Sequence, residues 1–256
     1  MGCNNSRHII EMESRPIRPV TLSSHSAGSV RATSSIFQDF PDSSEFSIKQ
    51  ISDAFGHMAE YLKEYGVYLD CVAVDGAVNT LLLGTRQTTH DVEFILPDPH
   101  SKDSITLSNA ASYANTKADG RLGENWFGTS MQLLMPRDLQ INLISDARLM
   151  GGIVFEDRGT NGGLTVYAAP WQYAICSKLE RLNGTNRPDD MEDAVAYMYH
   201  FLSLISQEHI VGKQIFDWCT RYHQNVSLEV LKSFEKAYHD KHGNWPLWWP
   251  KENKRV

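Results

Sequence analysis

The stretch Asp75-Gly76-Ala77-Val78-Asn79-Thr80-Leu81-Leu82-Leu83-Gly84-Thr85-Arg86-Gln87-Thr88-Thr89-His90-Asp91-Val92-Glu93 decides how this chain is read. It follows Val67-Tyr68-Leu69-Asp70-Cys71-Val72-Ala73-Val74, an apolar, β-rich run that predicts a strand broken at Asp75-Gly76. Ala77, Val78 and the Leu81 to Leu83 cluster then predict a short helix ended by Gly84, and Asp91 to Leu96 a second strand closed by Pro97 and Pro99. Side chains alternate along a strand, so Asp91 and Glu93 share one face while Val92 and Phe94 point into the core. Two carboxylates ionised side by side repel unless a cation intervenes, and hard oxygen ligands of this kind suit Mg²⁺ or Mn²⁺ bridging substrate phosphates. An isolated Asp-x-Glu more commonly decorates a solvated strand face, so the surrounding residues must carry the argument.

Upstream, residues 1–45 are rich in Ser, Arg and isolated Pro, lack any apolar period and read as a flexible leader. Ser47 is an N-cap candidate for a helix over 47–65, with Ile48, Ile51, Phe55, Ala59 and Leu62 at helical spacing. Downstream, the pattern predicts a helix over 101–118, a glycine-rich loop through Gly128, and a third strand from Ser130 to Met135 halted by Pro136. Residues 138–149 fit both strand alternation and a helix period, with helix preferred. Two further strands, Ile153 to Glu156 and Leu164 to Ala168, flank a loop with three glycines.

From Pro170 the pattern turns helical. Trp171, Ala174, Ile175, Leu179 and Leu182 mark an apolar stripe, a second helix runs from Pro188 to about Ile205, and two more fall near 207–222 and 227–241. The fold class expected is α+β: a mixed β-sheet domain over 46–169 followed by a C-terminal α-helical bundle over 170–256. Lys178 falls on the apolar stripe, where an ammonium needs an anionic partner to offset desolvation. A bound triphosphate would serve, and so would an inter-helix clamp to Asp190 or Asp193.

The segment Asp75 to Glu93 resembles the signature of the nucleotidyltransferase superfamily, a Gly-Gly or Gly-Ser turn followed by Asp-x-Asp/Glu. It is most similar to fungal nucleotidyltransferase-like proteins and, more distantly, to minimal and AbiEii-toxin-type enzymes, which pair a palm domain with a helical one. A second block, Ala169-Pro170-Trp171 through Lys178-Leu179, then Arg181 and Arg187-Pro188-Asp189-Asp190-Met191-Glu192-Asp193, resembles the family's Lys-bearing helix followed by a basic residue and Asp-x-x-Asp.

The resemblance implies transfer of a nucleoside monophosphate from an NTP to an acceptor hydroxyl that the sequence does not identify, with Mg²⁺ or Mn²⁺ at Asp91 and Glu93. It implies nucleotide contacts at Gly76, Ala77, Arg86 and Lys178, and a third catalytic carboxylate for which Glu156 is the best candidate and Asp138 the rival. Asp75 stands where the family's turn has its first glycine and adds a carboxylate near the expected triphosphate. The alternative is therefore a weakened nucleotide-binding or interaction module that keeps the fold without transfer.

Composition narrows the partners. Lys and Arg total 24 against 31 Asp and Glu, and the net charge of -7 argues against a broad footprint for duplex nucleic acid. Cys3, Cys71, Cys176 and Cys219 form no CxxC pair and read as reduced thiols of a cytoplasmic protein. No apolar run approaches the roughly 20 residues that span a bilayer. The extreme N-terminus, Met1-Gly2-Cys3-Asn4-Asn5-Ser6, fits N-myristoylation at Gly2 with Cys3 placed for palmitoylation, which would anchor the chain at a membrane surface; a chance match is the alternative. Metabolic labelling with a myristate analogue separates the two: acylation predicts a labelled chain and loss of label in Gly2→Ala.

Overall fold

The computed structural model describes residues 45–96, 101–150, 152–185 and 187–250. The leader and the Gly2-Cys3 motif lie outside these residues. In chain order the elements are β1 (Phe46–Ser47), α1 (Ile48–Glu64), β2 (Tyr68–Val74), a π-helical segment (Val78–Leu83), β3 (Thr88–Thr89), β4 (Val92–Ile95), α2 (Lys102–Lys117), β5 (Phe127–Gly128), a 3₁₀ segment (Ser130–Leu134) and α3 (Arg137–Met150). There follow β6 (Ile153–Arg158), β7 (Gly163–Ala168), α4 (Trp171–Arg181), α5 (Pro188–Leu204), β8 (Ile210–Val211), α6 (Lys213–Arg221), α7 (Leu228–His242) and β9 (Leu247–Trp248).

The architecture is mixed α/β. A five-stranded sheet has the order β5-β4-β2-β7-β6, with β2 parallel to β7 and antiparallel to β4. Strand β2 is central, and its alternation feeds two cores. Leu69, Cys71 and Ala73 face the side covered by α1 and α2, together with Val92 and Phe94 of β4. Val72 and Val74 face the other side, with Ile95 and the α3 residues Leu139, Leu143 and Ala147. Helix α1 forms because Ile51, Ala54, Phe55, Met58, Ala59 and Leu62 recur on one buried stripe. It begins sharply because Ser47 and Gln50 close a reciprocal capping box. The rings of Phe55 and Phe94 meet at 5.7 Å and join helix to sheet.

Two sequence expectations need correction. Ser130 to Met135 does not form a strand: Ser130–Leu134 is a 3₁₀ segment, because buried Gln132 spends its side-chain oxygen on the Leu96 amide at 2.7 Å and holds the segment against the end of β4. The segment near 207–222 is not one helix, since Ile210 and Val211 first pair with Leu247 and Trp248 before α6 begins. The apolar alternatives over 138–149 resolve as helix. No helix among the described residues is long and apolar enough to cross a membrane.

At the end of β2 the chain turns at Gly76, close against Thr89 of β3. A Cβ built on Gly76 would lie 1.9 Å from Thr89 Oγ1 and 2.9 Å from Thr89 Cβ, so the return of β3 toward this turn admits glycine alone. Gly76→Ala is expected to destabilise the protein by about 1–3 kcal/mol, read as a lower urea midpoint, with partial recovery in the double variant with Thr89→Ala.

Candidate functional site

Helix α4 ends and helix α5 begins at the same place. The last turn of α4 carries Lys178 and Arg181, and the first turn of α5 carries Asp189 and Asp190, so each charge sits at the helix end whose dipole favours it. Between these ends lies the C-terminus of β2, where Asp75 adopts a left-handed backbone (φ 53°), a conformation that Asp tolerates better than most residues. The turn directs the Asp75 carboxylate onto both basic residues: it accepts from Arg181 Nη1 and Nη2 at 3.0 and 3.2 Å and pairs with Lys178 Nζ at 3.1 Å.

Lys178, only 4% exposed, is fully occupied. An ammonium has three N–H donors, and here Asp75, Asp190 and Asp193 stand at 3.1, 3.1 and 2.7 Å. Asp190 also pairs with Arg181 at 3.2 Å and with Arg187 at 3.5 Å. Asp193 also accepts from Arg86 Nε and Nη2 at 3.3 and 2.7 Å. Burial alone would raise the Asp75 carboxyl, but Lys178 and Arg181 more than reverse that effect and hold it below its ordinary value. Of the two roles open to Lys178, the inter-helix clamp is therefore the one present, extended to the sheet through Asp75.

This network floors a polar cavity of about 910 Å³, whose walls include Gly76, Arg86, Thr88, Asp91 and, from α7, Lys241. Asp91 lies at the cavity surface. Glu93, two residues on, has one oxygen accepting from Ser130 Oγ at 3.2 Å, and its other oxygen, Oε2, is buried with no hydrogen-bond partner. The Glu93 carboxylate lies so close to Gly128 that a Cβ there would meet Oε1 at 2.6 Å. Both acids are held above their ordinary range, first by burial, then by like charge: Asp75 acting on Asp91, and Asp91 acting on Glu93. Burial and like charge therefore both disfavour the charged forms of the pair, and a cation would relieve that cost.

The structure brings Gly76, Arg86, Asp91 and Lys178 to one cavity. Ala77 is fully buried behind the turn and does not line it. Glu156 is elsewhere: β2 and β7 separate its strand from β4, about 14 Å at the usual strand spacing, and it pairs with Arg158. Asp138 lies on α3 and contacts His223 at 3.2 Å. Among the described residues no group of three His, Cys, Asp or Glu is arranged to hold a metal, so neither candidate supplies the third carboxylate. Trp126 is buried, while Trp245 stacks on His239 at 4.3 Å and neither lines the cavity. Sequence reasoning missed Lys241, which no motif marks. Comparison of the chain with family models, with curated proteins and with solved structures returned no match.

Two measurements check the network. Lys178→Met leaves three buried or half-buried carboxylates short of a counter-charge, and a loss of about 3–5 kcal/mol is expected in urea unfolding. Because the folded-state titration of Asp75 is lowered, the stability it contributes is complete above its ordinary value of 3.8 and is lost as pH falls below it, so Asp75→Asn should flatten the acid limb of the stability curve.

Proposed function

We propose that this chain is a metal-dependent nucleotidyltransferase with a palm-like sheet, and that the cavity takes a nucleoside triphosphate whose monophosphate passes to an acceptor hydroxyl. One observation carries the reading: Asp91 lines a large polar cavity and Glu93, two residues behind it on β4, keeps a buried oxygen without a hydrogen-bond partner, while burial and like charge disfavour ionising either acid. Mg²⁺ is commonly held by one or two carboxylates plus substrate phosphates, and this donor set fits that habit.

Asp91 and Glu93 would hold the metal ions, which neutralise developing charge on the transferring and leaving phosphates. The protein's own residues do the rest by position. Gly76 lines the cavity wall, where the side chain it lacks makes room for Thr89 and keeps β3 close to the turn. The Lys178 network fixes α4 and α5 against the end of β2, so the wall that faces the acids is rigid. The acceptor hydroxyl would lose its proton to solvent as its oxygen bonds to the α-phosphorus, and the bond from that phosphorus to the bridging oxygen of the β-phosphate would break, so that pyrophosphate leaves with the electron pair.

A second reading, nucleotide binding without transfer, is favoured by a specific observation: no third acid joins Asp91 and Glu93 among the described residues. Incubation with α-labelled NTPs and Mg²⁺ or Mn²⁺ is expected to yield labelled product in the wild type and none in Asp91→Ala; tight binding with no product would select the second reading, and neither binding nor product would remove both. Stability gives a further check. Because the folded protein raises the Asp91 and Glu93 titrations, their ionisation costs stability at neutral pH, and the cost fades as pH falls through their raised values. Asp91→Asn should therefore raise the thermal midpoint at pH 7.5 without metal, and Mg²⁺ should raise the midpoint of the wild type but not of the variant.

A further inference from the structure

A nucleotide in this cavity needs a cation for its phosphate tail, and the residue marked by sequence for that task has none to offer. Lys178 is buried, donates to Asp190 and is ion-paired with Asp75 and Asp193, all three within 3.1 Å. Arg181 is committed to Asp75 and Asp190, and Arg86 grips Asp193 through two nitrogens. Within this cluster the charges of Lys178, Arg181 and Arg86 cancel those of Asp75, Asp190 and Asp193. Extracting any of these cations would strand a buried carboxylate, which costs several kcal/mol.

Two cations remain on the cavity wall. Arg187 is 57% exposed and makes a single long contact of 3.5 Å with Asp190. Lys241, in the last turn of α7, lines the same cavity, is exposed, and has no carboxylate partner among the described residues. We infer that Lys241, with Arg187 beside the cavity mouth, is the cationic contact for the polyphosphate tail, and that Lys178 is a structural clamp that never leaves its aspartates. The inference rests on the nucleotide reading of the cavity. The ligand class is a polyphosphate with its divalent cations, because Glu45, Asp91, Asp189 and Glu192 also line the wall and would repel a bare tetra-anion. Lys241 comes from an element far in sequence from Asp91, so the helical segment would help close the substrate site.

The test uses the full chain with ATP and, separately, inorganic tripolyphosphate, each with Mg²⁺, by calorimetry. Lys241→Ala is expected to weaken both ligands by about tenfold, the scale of one charge-assisted hydrogen bond, and to make binding less sensitive to salt. Its thermal midpoint should match the wild type, since the side chain is exposed and unpaired, and Lys241→Arg should restore most of the affinity. Lysine acetylation footprinting gives a second readout: the ligand should protect Lys241, while Lys178 stays unmodified with or without it. Wild-type binding with an unchanged Lys241→Ala, or ligand-dependent exposure of Lys178, would overturn the inference and leave the nucleotide reading standing. No binding by the wild type would remove both.

Discussion

One ammonium placed among three carboxylates organises the functional end of this molecule. Lys178 belongs to α4, Asp75 to the end of β2, and Asp190 and Asp193 to α5, so a single nitrogen joins the sheet to two helices. Coulomb attraction at this depth is strong but so is the cost of desolvation, and the arrangement is tolerable because each acid has a second basic partner. Satisfied in this way, the cluster ties the end of β2 to α4 and α5, and these elements supply much of the cavity wall.

Much of the fold was legible because the chain repeats its signals. The α1 stripe, the alternation of Val92 and Phe94, the glycine-rich hairpin and the Pro170 and Pro188 helix starts each declare local structure, and tertiary packing agrees with them. The misread third strand shows where such reading stops. Ser130 to Met135 has strand-like composition, but the side chain of Gln132 spends a hydrogen bond on the Leu96 amide, and a long-range polar contact overrode local preference. The short β8–β9 pairing escaped for a similar reason, since its partners lie almost 40 residues apart and carry no shared motif.

The candidate site divides along the same line. Asp91, Glu93, Gly76 and Arg86 sit in one contiguous motif and could be found by spacing. Lys178 was visible as a charge on an apolar stripe, yet sequence left its role open between ligand and clamp; only distances distinguish them. Asp75 looked like an intruder beside a phosphate. In the folded chain it is a counter-ion for Lys178 and Arg181, and its charge is largely answered before any ligand arrives. The acids at Asp91 and Glu93 lack that relief, so the titration of Asp75 is lowered while that of Asp91 on the same cavity wall, and of Glu93 behind it, is raised.

The parallel pairing of β2 with β7 also has a temporal side. Cys71 faces Val166 in that register, so the two strands are brought together only after the intervening chain has been made and threaded into place. A ribosome releases β2 and the β4 acids long before the residues that neutralise Asp75 leave the tunnel. During that interval the growing polypeptide carries β2 without its β7 partner, a strand border open to other chains. Assembly of the cavity is thus a late event of synthesis, since its wall draws on α4, α5 and, through Lys241, α7, and it does not coincide with completion of the motif that marks it in the sequence.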